Sequence, residues 1–253
     1  MIENAEEALK VHQIFAEQIL RNPLVSFARR KSDVEECFAG IKVILGLQHM
    51  PCKMTSDVLR ALRDDSLRIG AIAYQSENEY GSGYATHGGL KQRGEWLIRQ
   101  FAELGIILDL SHANEQTAMN AMRLIHREDL PVKVMLSHSG CHSVYMSPRN
   151  VSNAVLSAVA DLDGYCGIPA ITFIIAAKGS YYPREFVYHV QYATQMMGSK
   201  RVGIGSDCQF LDMSIIDAQK KALQNHAGFS DDVLQGVLGN NFRYFLHRSL
   251  PRI

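Results

Sequence analysis

Gly105-Ile106-Ile107-Leu108-Asp109-Leu110-Ser111-His112 and Val132-Lys133-Val134-Met135-Leu136-Ser137-His138-Ser139 are the two stretches that decide the fold. Each is a short apolar run that ends in a histidine. Runs of this kind, bounded by helical patterns, read as buried parallel strands. A histidine just past the C-terminal end of two successive strands lies on the rim where α/β barrels keep their chemistry. Two neutral imidazoles placed this way suit zinc and other divalent first-row metals.

Working outward, strands and helices alternate. Ile41 to Leu47, Ile69 to Ala73, Ile106 to Leu110, Val132 to Leu136, Tyr165 to Ile168 and Arg201 to Gly205 read as six strands, the fifth extending toward Phe173. Helices fall between them. Residues 5–21 form an amphipathic helix with Ala8, Leu9, Val11, Ile14, Phe15 and Ile19 on or near one face. Ser56 caps a helix to about Asp64, Leu90 to Leu104 is closed by Gly105, and Asn114 caps a helix to Arg127. Asn150 to Leu162 and Arg184 to Met197 follow, and from Met213 the chain is helical, with Ser230 as a cap. The polar, glycine-rich stretch Gln75 to Gly89 is a loop, long for a strand-to-helix connection. Six βα units in succession mean a parallel sheet, as a barrel or an open doubly wound sheet. The whole chain, 1–253, reads as a single domain.

Composition bounds the function. Lys+Arg and Asp+Glu both total 26, so neither nucleic acid nor an acidic membrane is expected as a partner. No apolar stretch is long enough to span a bilayer, and the acidic start carries no secretory signal pattern. The five cysteines are scattered and odd in number, which fits reduced thiols and a cytoplasmic location.

The strand ends line up polar groups: Gln48-His49, Tyr74-Gln75, His112, His138 and Asp207. Asp207 can orient or deprotonate a metal-bound water. Arg149 offers a planar fork for a substrate carboxylate. These ingredients fit metal-assisted hydrolysis of a carboxylate-bearing molecule. Each also has a plainer reading. Strand-end histidines are often satisfied polar residues, and Arg149 can pair with a nearby carboxylate. The Gly203-Ile204-Gly205-Ser206-Asp207 run has the look of a phosphate-cradling turn but lacks a Gly-x-Gly-x-x-Gly spacing. Cys141 beside His142 resembles a nucleophile and base only on paper. His12, His126, His189, His226 and His247 fall on helices as surface or core residues.

Five motifs together resemble the membrane (renal) dipeptidase family: Leu-Gly-Ile-Ile-Leu-Asp-Leu-Ser-His (104–112), Leu-Ser-His-Ser (136–139), Pro-Arg-Asn-Val (148–151), Val-Gly-Ile-Gly-Ser-Asp (202–207) and Gly-Asn-Asn-Phe-Arg (239–243). The resemblance covers about residues 30–248 and implies a TIM-like (β/α) barrel that cleaves dipeptides with zinc. By position it implies that His112 and His138 bind zinc, Arg149 grips the substrate carboxylate with Asn150 beside it, and Asp207 handles protons. Departures accompany these matches. The family's opening His-x-Asp strand is absent, leaving about six of eight barrel strands. Gln48 stands where the family has a bridging glutamate, and Tyr74 where mammalian members have a substrate-contacting histidine. After the sixth strand, Asp207-Cys208-Gln209-Phe210 replaces the usual Asp-Phe-Asp-Gly. The expectation is therefore a dipeptidase-like chain with at most one zinc, held by His112, His138 and weakly by Gln48. The alternative is an inactive relative that binds a small carboxylate or peptide. A barrel lacking two strands has open edges, so self-association or a partner chain is expected to cover them.

Overall fold

The computed structural model describes residues 4–36, 39–177, 182–207 and 213–252. The chain divides into two compact units: Met1–Lys133 with Leu246–Ile253, and Val134–Phe245.

The first unit opens with α1 (Ala5–Leu20), whose N-cap Asn4 accepts the Glu7 N–H at 3.0 Å. The helix is where the sequence places it, but it buries a different face. Ala5, Ala8, His12 and Ala16 are buried, whereas Val11, Ile14 and Phe15 are exposed. Both stripes have helical spacing, so periodicity alone could not choose between them. The small residues let α1 lie close to its neighbours. His12 reaches across to Asp65, Nδ1 to Oδ2 2.6 Å, at the end of α3 (Ser56–Asp65).

Between them lie β1 (Val25–Phe27), α2 (Lys31–Glu35), β2 (Ile41–Val43) and β3 (Leu45–Leu47). The single expected strand over 41–47 is thus split in two. β1, which the sequence reading passed over, pairs in parallel with β2 from Val25↔Ile41 to Phe27↔Val43. β3 instead pairs with β4 (Leu67–Ala71), with a register shift at Leu45/Gly46. A small core of Ala16, Phe27 and Leu45 ties α1, β1 and β3 together. Thr55, not Ser56, caps α3: its side chain accepts the Val58 N–H at 3.2 Å. β4 begins two residues earlier than expected and carries Arg68, which is buried and donates through Nε and Nη1 to main-chain carbonyls.

α4 (Gln92–Leu104) ends on Gly105 at φ 66°, as the sequence requires. Then come β5 (Ile107–Asp109), paired in parallel with β4, and α5 (Glu115–Arg127), capped by Asn114.

The second unit carries β6 (Val134–Leu136), α6 (Asn153–Asp161), β7 (Tyr165–Ile168), α7 (Thr172–Ile175), α8 (Tyr182–Met197), β8 (Val202–Ile204), α9 (Met213–His226), α10 (Asp231–Gln235), a π-helical turn at Gly236–Asn240, and α11 (Asn241–Ser249), which runs on into the first unit's C-terminal segment. β6, β7 and β8 pair in parallel in that order. The expected six parallel strands are therefore present, three in each unit. β7 does not run on to Phe173, because α7 begins there. α6 is capped by Ser152 rather than starting at Asn150.

The glycine run of β8 has a packing cause. A Cβ on Gly205 would sit 1.9 Å from the Ser137 carbonyl oxygen, and one on Gly203 would sit 2.3 Å from the Tyr165 hydroxyl. Gly205 lets backbones approach one another and Gly203 makes room for the Tyr165 side chain; no phosphate is needed to explain them.

Candidate active site

In the first unit the site is built around His112, just past β5 and 3% exposed. Gln48, one residue past β3, places its amide Nε2 3.0 Å from the His112 Nε2. Tyr74, beyond β4, stacks on the imidazole with ring centroids 4.2 Å apart and 30° between planes. His49 lies farther out, its ring 6.3 Å from that of Tyr74. The ends of three neighbouring strands thus bring Gln48, Tyr74 and His112 together. The carboxylate of Asp109 is buried and accepts the Ser111 N–H at 3.0 Å and hydroxyl at 2.6 Å, which shapes the turn carrying His112.

Sequence reasoning missed Tyr84. The loop after β4 folds back through an antiparallel bridge at Gly83↔Ala113. Tyr84 donates its N–H to the His112 carbonyl at 2.9 Å and sets its ring 6.1 Å from the imidazole. Gly83 is needed there, since a Cβ would meet the Tyr74 carbonyl oxygen at 2.2 Å. Asn114 holds the return. Its Oδ1 accepts from Thr117, and its Nδ2 donates to the carbonyls of Thr86 and Gly88, both at 2.7 Å. The unusual length of the loop was the one signal available. It singled out the segment without marking the residue.

In the second unit His138 lies just past β6, 7% exposed, with the Ser137 hydroxyl 2.7 Å from its Nδ1. Its Nε2 is 3.9 Å from Asp207 Oδ2. Asp207 has φ 51°, a left-handed conformation that aspartate tolerates better than most residues. Cys208, Gln209 and Phe210 lie outside the described residues.

Arg149 and Asn150 share a loop between β6 and α6. Arg149 is 5% exposed and gives its main-chain N–H to Ser147 Oγ at 3.3 Å. Asn150 points its amide into the protein, with Nδ2 donating to the carbonyls of Tyr145 and Ile174, both at 2.7 Å. His189 on α8 pins the start of the same loop. Its Nδ1 accepts the Cys141 N–H at 2.8 Å, and its Nε2 is 3.0 Å from the Ile175 carbonyl oxygen. A carbonyl can only accept, so the ring is the neutral Nε2–H tautomer. Burial lowers its pKa to about 4. Burial likewise pushes the Cys141 thiol up to about 12, so this cysteine is no nucleophile at neutral pH.

The donor chemistry bears directly on metal binding. Among the described residues no three His, Cys, Asp or Glu side chains form a group that could hold a metal ion. Gln48 offers a neutral amide where a bridging ligand must carry charge. These residues do not fit a two-metal centre. Among the described residues no helix is long and apolar enough to cross a membrane.

Residues 3–246 match the family described as membrane dipeptidase (peptidase family M19). The chain belongs to this family. It is 28% identical over 204 residues to the dipeptidase aclJ of Aspergillus oryzae, covering 74% of this chain and 46% of that protein. The chain spans about half the length of the curated relatives it matches. Its fold is that of an amidohydrolase from Pseudomonas aeruginosa (TM-score 0.87, 17% identity, covering 98% of this chain and 86% of that one). It is also that of a metallopeptidase from Rhodobacter sphaeroides liganded with a phosphinate mimic of L-Ala-D-Ala (TM-score 0.83, 21% identity, covering 97% and 76%). The fold class is therefore the α/β, TIM-like barrel of the M19 dipeptidases.

Proposed function

We propose that this M19 chain binds a dipeptide, or another small carboxylate-bearing molecule, at the C-terminal ends of its strands, and acts on the amide bond with at most one zinc ion. The observation that carries this reading is the Gln48 amide lying 3.0 Å from His112 Nε2. A polar group still faces the histidine, but it lacks the charge of the family's glutamate. By the resemblance His112 and His138 are the zinc ligands, with Gln48 as a weak third. When bound, zinc supplies polarisation of the scissile carbonyl.

The remaining roles fall to the protein. The Arg149 guanidinium grips the substrate carboxylate, which suits its planar fork. Asn150 contributes indirectly by fixing the loop that carries Arg149. Tyr74 and Tyr84 set their rings beside His112. Asp207 serves proton transfer, with its carboxylate 3.9 Å from His138 Nε2. The exposed apolar face of α1 supports a homo-oligomer.

A second reading, binding without turnover, is favoured by the absence of a three-ligand metal group among the described residues. One set of measurements separates the two: zinc content of the purified protein, turnover of L–L and L–D dipeptides with added zinc, and calorimetric dipeptide binding. Zinc up to one ion per chain with slow turnover is expected. Binding without turnover under excess zinc selects the second reading. No dipeptide binding at millimolar concentration removes both. Arg149→Ala should weaken dipeptide binding by about ten- to a hundred-fold, the loss of a charged hydrogen-bonding partner.

A further inference from the structure

Four arginines border one cavity of about 470 Å³ in the first unit, away from the residues around His112. Arg68 is the second residue of β4, whereas Tyr74 lies past that strand's other end. Arg29, Arg30 and Arg63 complete the set, and Leu20 and Phe27 form an apolar wall.

The charges do not cancel locally. Asp33, the carboxylate in the lining, accepts the main-chain N–H groups of Arg29 and Arg30 at 2.8 and 3.0 Å, and the Arg30 Nε at 3.3 Å. It is taken up in starting α2. Arg63 pairs outward with Asp64 at 3.2 Å. The Arg29 guanidinium lies 5.0 Å over the Phe27 ring and donates to the Ser66 hydroxyl. Arg68 is 5% exposed. Its Nε bonds the Arg29 carbonyl, and its Nη1 bonds the carbonyls of Arg63 and Leu67 at 2.6 and 2.7 Å. Carbonyls orient a guanidinium but do not neutralise it. Nη2 is left without an acceptor among the described residues. Burial, and then the neighbouring charges of Arg63 and Arg29, lower the Arg68 pKa to about 10, against smaller opposing effects of Asp33 and Asp64. A buried cation with no direct ion pair among the described residues is costly, and an anion entering the cavity would relieve it.

We propose that this cavity binds a phosphate-bearing small molecule, with the phosphate gripped by Arg29, Arg30 and Arg68 and the organic part lying on Leu20 and Phe27. Several guanidinium forks converging on one space suit a multiply charged oxyanion. The volume lies in the range of small-molecule pockets and exceeds that of a bare oxyanion.

Calorimetry on the full chain at low ionic strength tests this with three probes: inorganic phosphate, adenosine 5′-monophosphate and citrate. Saturable binding of the nucleotide is expected. Arg29→Gln and Arg30→Gln should each raise its Kd by about ten-fold or more, the loss of one charged contact. Arg30 is largely solvent-exposed, so Arg30→Gln should keep the native circular dichroism and melting temperature even where Arg29→Gln disturbs folding. Dipeptide binding should be unchanged in Arg30→Gln, which separates this cavity from the Arg149 site. Nucleotide binding tighter than inorganic phosphate identifies a phosphorylated molecule as the occupant; equal affinities identify free phosphate. No saturable binding of either up to about 10 millimolar, binding that both variants leave unchanged, or binding of citrate alone would overturn the proposal.

Discussion

At the residue scale, the informative position is Gln48. Its amide touches the imidazole that the resemblance assigns to zinc, so the difference from glutamate is one of charge more than of placement. Gln48→Glu should raise zinc affinity by about ten-fold, measurable by competition with a chromophoric chelator. It should not restore brisk dipeptide turnover, since no His-x-Asp strand is present in the sequence; full turnover in Gln48→Glu would contradict this. His189 gives a pH prediction. Its folded-state pKa is lowered from 6.5 to about 4, so the unfolded chain binds the proton more readily. Its contribution is present in full above pH 6.5 and is lost as pH falls toward 4. The size is roughly 3 kcal/mol from the linkage of pKa to stability. Urea titrations at pH 7 and pH 4.5 should show this loss, and His189→Gln should flatten it.

At the element scale, side-chain amides do much of the positioning. Asn114 caps α5 and donates to two carbonyls of the loop that delivers Tyr84. Asn114→Ala should cost about 2–3 kcal/mol, from a lost cap and two stranded carbonyls, read from the urea midpoint. It should also loosen the Tyr84 contact with His112. Asn241, in the Gly-Asn-Asn-Phe-Arg motif, donates to the carbonyls of Ser199 and Val202 and so anchors the approach to β8. Gly205→Ala would force a Cβ to 1.9 Å from the Ser137 carbonyl oxygen, and should destabilise the second unit by at least ~3 kcal/mol in the same assay. Several motif residues that identify the family are thus explained by backbone packing alone.

At the scale of the whole molecule, the open question is what covers α1. Val11, Ile14 and Phe15 are 42%, 56% and 53% exposed, and Leu24 and Ile41 beside β1 and β2 are 62% and 64% exposed. An apolar surface of this kind marks an interface. β1 protects the edge of β2, but nothing among the described residues of this unit covers the outer face of α1. The expected occupant is a second copy of the chain. Sedimentation velocity at micromolar concentration should show a dimer, and Ile14→Lys with Phe15→Glu should shift it to monomer. A monodisperse wild-type monomer would remove the idea.

Sequence alone determined a good deal here. Apolar runs punctuated by Gly105, Asn114 and the polar loop at 75–89 located the strands and most helices, because backbone hydrogen bonding and turn geometry are set by near neighbours. The positions of His112 and His138 just past β5 and β6 were legible because each follows directly on an apolar run, whereas Arg149, in the loop before α6, was singled out by its chemistry and the family resemblance. What lay beyond reach depended on contacts distant in the chain. Which face α1 buries was decided by α3 and β1, whose closeness favours alanines. Tyr84 joined His112 only because Gly83 lets a loop pass under Tyr74. The charge of Arg68 became conspicuous only once Arg29, Arg30 and Arg63 were seen to border the same cavity. Periodicity reports the pattern of one segment. The partner that meets it is a property of the tertiary fold, where burial and hydrogen bonding are settled between segments.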